Sequence, residues 1–192
     1  MPFFQTGFSG LLIFEPAVFE DSRGYFFESY NQHVFSEYLV KAEFVQDNQS
    51  SSEYGVIRGL HFQFAPYAQS KLVRVLTGRI LDVGVDIRKG SSTYGKVFTI
   101  ELSGQNRKQL YLPKGFAHGF SVLSEKAEVL YKCDAFYNKQ SEQGILFDDP
   151  QLNIDWQIPK EKIKVSEKDR TNQLFKDLVT DFVFEKESNV KR

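Results

Sequence analysis

The chain has 192 residues, 41% of them hydrophobic and 26% charged, which suits one globular domain over residues 1–192 and excludes a disordered polymer. A formal net charge of −1 excludes a globally basic nucleic-acid binder, so any anion site must be local. A single cysteine, Cys133, excludes an internal disulfide and a multi-cysteine metal site, and no apolar run approaches the length of a membrane span.

Met1-Pro2-Phe3-Phe4-Gln5 lacks the basic and apolar regions of a signal peptide, so a reducing cytoplasm is the expected compartment. In chain order, the first expected strand is Gly24–Ser29. Asn31 then fits the cap of a short helix that presents Val34, Phe35, Tyr38 and Leu39 on one side. The polar run 47–52 reads as a loop, with Gln46 just before it and Asn48 within it suited to turn forming. Lys71–Leu76, the turn signal Thr77-Gly78-Arg79, and Ile80–Ile87 read as a hairpin. In its second arm Leu81, Val83, Val85 and Ile87 share one face, with Asp82 and Asp86 on the other. Further strands are expected at Tyr94–Leu102, Gln109–Leu112, Phe120–Ser124 and Ala127–Ala135. Ser166 fits the cap of a second helix with Leu174, Phe175 and Leu178 as its apolar stripe, and the charged tail after Asp181 is expected to fray. Evenly spaced short strands, aromatics at 15% and few helices argue for a sandwich or barrel.

Three histidines are present. His33, flanked by polar residues, reads as a surface side chain. His118 lies in Pro113-Lys114-Gly115-Phe116-Ala117-His118, a spacing similar to the second cupin motif, where the histidine is a metal ligand in metal-binding members. The first cupin motif is not complete here: Gln63 stands where a second histidine belongs after His61, and Lys71 stands seven positions before Gly78 in place of a glutamate. A protonated ammonium has no lone pair for a metal, so a metal-free site is expected. Strand parity puts Lys71 with Val73 and Val75, Tyr131 with Val129 and Cys133, and His118 with Phe116 and Phe120. A lysine, a tyrosine and two histidines facing one cavity would be a base, an acid and an oxyanion stabiliser for moving a proton next to a carbonyl. The alternative from periodicity alone is that Lys71 and Tyr131 end their strands in solvent, with apolar stems covering core.

The blocks Arg58-Gly59-Leu60-His61-Phe62-Gln63, Lys71-Leu72-Val73-Arg74-Val75, Pro113–Phe120, Tyr131-Lys132-Cys133, Asp148-Asp149-Pro150 and Ser166-Glu167-Lys168-Asp169, with Phe19–Glu28 ahead of them, resemble in order the motifs of the dTDP-4-dehydrorhamnose 3,5-epimerase family. The likeness runs from about Gly10 to Leu178. It implies a mainly β, cupin-type double-stranded β-helix, a jelly-roll barrel with a few short peripheral helices. It implies conversion of dTDP-4-dehydro-6-deoxy-D-glucose to dTDP-4-dehydro-L-rhamnose with neither metal nor organic cofactor. The implied roles are His61 as base at C5 and C3, Asp169 as its partner, Tyr131 as acid on the opposite face, Lys71 as enolate stabiliser, and His118 as an assisting residue. Arg23, Arg58 and Lys168 would meet the pyrophosphate, and Phe26, Glu28, Gln46, Asn48 and Tyr137 the nucleotide and sugar. The resemblance further implies a homodimer whose exchanged N-terminal segment brings Arg23, Phe26 and Glu28 to the neighbour's site.

Each residue also has a plainer reading. Ser166 with Asp169 is a helix cap on local grounds, Arg58 a surface strand residue, Phe26 core, and Cys133 an inert interior thiol. Asp134-Ala135-Phe136 and Phe147 depart from the family pattern at positions expected near the substrate pocket. Three other activities fit the same frame: a single-centre epimerase or ketoisomerase on a related sugar, a metal-dependent cupin enzyme, and a non-catalytic nucleotide-sugar-binding cupin.

Overall fold

A computed structural model of the chain describes residues 3–38 and 42–185. In chain order the strands are β1 (Phe3–Gln5), β2 (Leu12–Phe14), β3 (Phe19–Asp21), β4 (Gly24–Phe26), β5 (Gln46–Glu53), β6 (Ile57–Gln63), β7 (Lys71–Thr77), β8 (Arg79–Asp86), β9 (Val97–Ser103), β10 (Gln109–Leu112), β11 (Phe116–Val122), β12 (Lys126–Cys133) and β13 (Glu142–Gly144). Two short α-helices, α1 (Gln32–Ser36) and α2 (Glu167–Arg170), sit at the periphery. A six-stranded sheet runs β1-β2-β10-β7-β12-β5 and a five-stranded sheet runs β13-β6-β11-β8-β9. All pairings between these strands are antiparallel. The two sheets close on each other as the jelly-roll barrel of the cupin fold.

The alternation along β8 explains where the core sits. Leu81, Val83 and Val85, with Ile87 beyond, pack under Ile145, Phe147, Leu152, Trp156, Phe175 and Leu178 from the C-terminal third of the chain. The opposite face, through Ile80, joins Val73, Val75, Leu112, Phe116, Phe120 and Val129 between the sheets. The five-stranded sheet is therefore covered on both faces, which is why β11 is buried at every position. Each such side chain contributes roughly 1.5–3 kcal/mol. The face of β8 that carries Asp82 points into the barrel rather than to solvent, because the C-terminal segment already occupies the outer side.

Strands β7 and β8 are not a hairpin. β7 pairs with β10 and β12, and β8 pairs with β9 and β11, so the turn at Gly78 carries the chain from one sheet to the other. Alternation and a turn signal report that the chain reverses, not which strands it then pairs with. Gly78 has φ +79°, and a Cβ there would fall 2.1 Å from the Lys126 carbonyl oxygen. Gly78→Ala is expected to lower stability by more than about 1 kcal/mol, seen as a reduced urea midpoint with an unchanged m-value. A midpoint equal to the parent's would contradict this account of the turn.

Other boundaries moved for identifiable reasons. The polar run 47–52 is not a loop but lies in the edge strand β5, zipped to β12 over eight residue pairs. β11 starts at Phe116, ahead of the expected Phe120, so His118 is a strand residue. The strand expected at Gly24–Ser29 is β4 alone, paired with β3 in a surface hairpin. Asn31 caps α1 as expected, its side chain accepting from the N–H groups of His33 and Val34; Leu39 lies outside the described residues. Ser166 caps α2, but the helix stops at Arg170 because Gln173 bridges to Ile145 and Asn172 packs on Gly144. Leu174, Phe175 and Leu178 therefore form no helical stripe. Phe175 begins a 3-10 turn and is pinned by its N–H to Asp149 Oδ2 at 2.7 Å. The first part of the tail is docked rather than frayed: Lys89 exchanges backbone hydrogen bonds with Phe182 and Phe184. Residues 186–192 lie outside the described residues.

Candidate active site

A cavity of about 490 Å³ opens between the sheets, and its walls include Arg58, His61, Lys71, His118, Phe120, Tyr131, Glu142, Lys168 and Asp169. A smaller lobe of about 130 Å³ adds Gln46, Asn48, Gln63, Gln69 and Tyr137, and shares His61, Lys71, Tyr131 and Glu142. His61 on β6 and His118 on β11 are cross-strand partners in the five-stranded sheet. Lys71 and Tyr131 come from β7 and β12 of the facing sheet, where Lys71 pairs with Cys133 and Tyr131 with Val73. Lys71 and Tyr131 therefore both face the cavity, and neither ends in solvent.

The two histidine-bearing strands approach closely because glycines line the seam. A Cβ on Gly119 would lie 2.8 Å from the Arg58 carbonyl oxygen and 3.3 Å from Gly59 Cα, so both positions need a bare backbone. The pairing slips by one residue here: His118 faces His61 but Phe120 faces Arg58. This bulge lets His61 and Arg58, three residues apart, both line the cavity.

His61 Nε2 lies 2.5 Å from Asp169 Oδ1. Asp169 is 3% exposed, and its other oxygen takes the Gly59 N–H at 3.4 Å. Its own N–H is donated to Ser166 Oγ at 3.1 Å. The cap and the histidine partnership therefore coexist, since Ser166 serves the helix end while the Asp169 carboxylate serves His61. Burial alone would raise the Asp169 carboxyl, but the hydrogen bond and charge of His61, with the Gly59 and Ser166 contacts, hold it below its ordinary value. An ionised Asp169 fixes a proton on the ring nitrogen facing it and leaves the other ring nitrogen as the acceptor.

Across the cavity, Lys71 Nζ donates to the His61 carbonyl oxygen at 3.5 Å. Burial pushes its ammonium pKa down, opposed by Cys133, Asp82 and Glu142. Burial pushes the Tyr131 phenol up, which keeps it protonated and able to donate at neutral pH. The His118 ring sits 6.4 Å from that of Tyr131. Its pKa is lowered, by burial first and by Lys71 and His61 in addition, although Asp82 pulls the other way. Its Nε2 meets Asp82 Oδ1 at 2.8 Å.

The polar wall comes from several segments. Arg58 Nε donates to Ser52 Oγ at 3.1 Å. Gln46 and Asn48, on the inward face of β5, bond each other at 3.0 Å, and Gln46 also accepts from the Tyr137 N–H. Glu142, absent from the sequence reading, accepts from Lys168 Nζ at 2.5 Å and from Tyr137 OH at 2.8 Å. Burial would raise its carboxyl, yet these two partners bring it below the ordinary range. No period-two pattern marked its segment, because β13 has only three residues. Asp82 was also missed: alternation placed it on the face opposite Leu81 and Val83 and gave it no role.

Arg23, Phe26 and Glu28 do not line this cavity. They sit on or beside the β3–β4 hairpin, Arg23 with an 88% exposed side chain paired to Asp21 and Phe26 72% exposed rather than core. His33 is a surface residue near Glu37. Cys133 is buried, its thiol pushed up by burial and approached by Asn48 Nδ2 at 3.6 Å. Phe147 packs in the outer core beside Trp156, away from the cavity where it was expected. Gln63, at the vacated ligand position, donates to the Tyr67 and Phe136 carbonyl oxygens and accepts from the Asn138 N–H, clamping the loop after β12. Among the described residues no group of three or more His, Cys, Asp or Glu side chains is placed to hold a metal ion. Among the described residues, no helix is long and apolar enough to cross a membrane.

Known proteins resemble this chain in both sequence and fold. The family model described as dTDP-4-dehydrorhamnose 3,5-epimerase matches residues 5–177. The dTDP-4-dehydrorhamnose 3,5-epimerase of Shigella flexneri is 53% identical over 174 residues, covering 90% of this chain and 95% of its own. The crystal structure of the same-named enzyme from Elizabethkingia anophelis NUHP1 superposes with a TM-score of 0.88 at 52% identity, covering 91% of this chain and 96% of that one. The dTDP-6-deoxy-D-glucose-3,5-epimerase of Legionella pneumophila Philadelphia 1, crystallised with dTDP-4-keto-L-rhamnose, gives a TM-score of 0.91 at 42% identity, covering 96% and 98%. With one family model spanning most of its length and close relatives covered almost end to end, the chain belongs to the dTDP-4-dehydrorhamnose 3,5-epimerase family.

Proposed function

We propose that this chain epimerises dTDP-4-dehydro-6-deoxy-D-glucose at C5 and C3 to give dTDP-4-dehydro-L-rhamnose. The observation that most supports this reading is the placement of a buttressed base, His61 with Asp169, on one sheet and a protonated phenol, Tyr131, on the sheet facing it. A sugar ring between them meets a proton acceptor on one face and a donor on the other, which is what inversion requires. His61 takes the C5 proton, and the electron pair moves into the C4 carbonyl to form an enolate. The Lys71 ammonium stabilises the oxygen, with the neutral His118 ring beside it. Tyr131 returns a proton to C5 from the opposite face. His61 then loses its proton and Tyr131 regains one through solvent before the same sequence runs at C3. The ketone acidifies both neighbouring C–H bonds, so the scheme uses neither metal nor organic cofactor.

Arg58 and Lys168 are the pyrophosphate partners in this reading, since guanidinium and ammonium groups match phosphate oxygens. Gln46, Asn48 and Tyr137 hold the nucleotide and sugar in the adjoining lobe. The exposed hairpin carrying Arg23 and Phe26, together with Glu28, fits an element that completes a neighbour's site, so the working unit is a homodimer with exchanged N-terminal segments. The expected compartment is the cytoplasm.

The test is proton NMR of the substrate incubated with metal-stripped protein in deuterated water. Deuterium is expected at both C3 and C5, with the L-rhamno product forming. Deuterium at one carbon alone would replace the reading by a single-centre epimerase. No exchange at either carbon would overturn it, and metal add-back would then separate a metal-dependent enzyme from a binding module.

A further inference from the structure

We infer that Asp82 is a positioning residue for the reaction: from behind the cavity wall it holds His118 through Nε2, setting the tautomer and ring orientation that His118 presents to the substrate. This rests on the epimerase reading. Asp82 is 0% exposed and lies on the inward face of β8, next to the strand that carries His118. Its Oδ1 meets His118 Nε2 at 2.8 Å, while its Oδ2 has no hydrogen-bond partner among the described residues.

The neighbouring Asp86, on the same face of the same strand, shows what a structural buried carboxylate looks like here. Its Oδ1 accepts from the Arg88 backbone N–H and Nε, and its Oδ2 from Arg88 Nη2, Ser91 Oγ and Thr93 Oγ1. Every acceptor direction of Asp86 is used, and it knits the turn after β8. Asp82 knits nothing. Burying a carboxylate with a single partner is unfavourable, and an apolar side chain in its place would complete the core formed by Ile80, Val73 and Phe120. What Asp82 supplies, and an apolar side chain cannot, is an acceptor for one defined nitrogen of His118.

The consequence is directional. With the Nε2 proton committed to Asp82, the neutral ring keeps its lone pair on Nδ1. Burial also favours the neutral ring. The site then has two histidines side by side, each backed by a carboxylate, but in different settings. Asp169 lines the cavity beside His61, whereas Asp82 lies outside its lining and its one hydrogen bond is to His118.

Nitrogen-15 NMR of histidine-labelled protein tests the arrangement without any substitution: His118 is expected as the neutral Nε2–H tautomer at pH 7, and an Nδ1–H tautomer would overturn the inference. Asp82→Asn, isosteric but free to present an amide N–H to the ring, is expected to lower kcat by about 10–100-fold with little change in KM. Adding Asp82→Asn to His118→Asn is expected to cost nothing further, because the residue acts through His118. An unchanged kcat, an effect confined to KM, or additive losses in the double variant would each overturn it. Loss of deuterium exchange in the parent protein would instead sink the epimerase reading, and the tautomer would still decide how Asp82 holds His118.

Discussion

His61→Gln is expected to lower kcat by roughly 10²–10⁴-fold, the usual contribution of a positioned general base, while nucleotide binding is retained. The nucleotide groups of the proposed complex lie on Arg58, Lys168, Gln46, Asn48 and Tyr137, none of which depends on the imidazole for its hydrogen bonds. Glutamine is the informative replacement. Asp169 is almost fully buried, and its carboxylate takes one hydrogen bond from His61 and a longer one from Gly59. Truncation to alanine would leave that carboxylate short of a partner, at a cost of about 1–3 kcal/mol, and would confuse lost chemistry with lost stability. The glutamine amide reaches the position of Nε2, so it can still donate to Asp169, but it cannot accept a proton from carbon. Deuterium exchange at C3 and C5 should therefore disappear together with turnover, with thermal stability close to the parent's. Retained exchange at either carbon would mean that another group removes that proton, and the role of His61 would have to be given up for that centre.

Much of the site could be read from residue order and parity, and the reasons for the failures are physical. Lys71 and Tyr131 share parity with apolar residues two positions away, which fits an interior face but left a solvent-reaching end open, and His118 shares parity with Phe116 and Phe120 although its strand was expected only from Phe120. Asp169 was legible only through the family likeness, since Ser-x-x-Asp at a helix start is also a cap, and both contacts are made. Glu142 was invisible because a three-residue strand has no period to detect. Asp82 was left without a role for a different reason. Alternation divides a strand into two faces, but when both faces are buried it cannot say which is the cavity side. The false hairpin of β7 and β8 has the same origin: strand partners in a jelly roll are set by distant segments, which local patterns do not report.

Tyr131→Phe is the second large effect, and it should separate two events that are joined in the parent. Formation of the enolate needs a base and a stabilised oxygen, which His61 and Lys71 supply without the phenol. Inversion needs in addition a proton delivered from the opposite face. Removing only the hydroxyl is expected to cut product formation by about 10²–10⁴-fold while exchange of substrate protons with deuterated water persists, because His61 can return a solvent-derived deuteron to the face it came from. The diagnostic quantity is the ratio of exchange to inversion, which should rise steeply. The phenylalanine keeps the ring's packing against the interior core, so stability gives little reason for a general loss of activity. The pH dependence adds an independent check. Burial raises the phenol above its ordinary pKa of 10, so the donor stays protonated well past neutrality, and loss of inversion attributable to Tyr131 should be confined to strongly alkaline solution. If exchange and inversion fall by the same factor in Tyr131→Phe, the hydroxyl acts before the enolate forms, and its assignment as the proton donor of the opposite face is wrong.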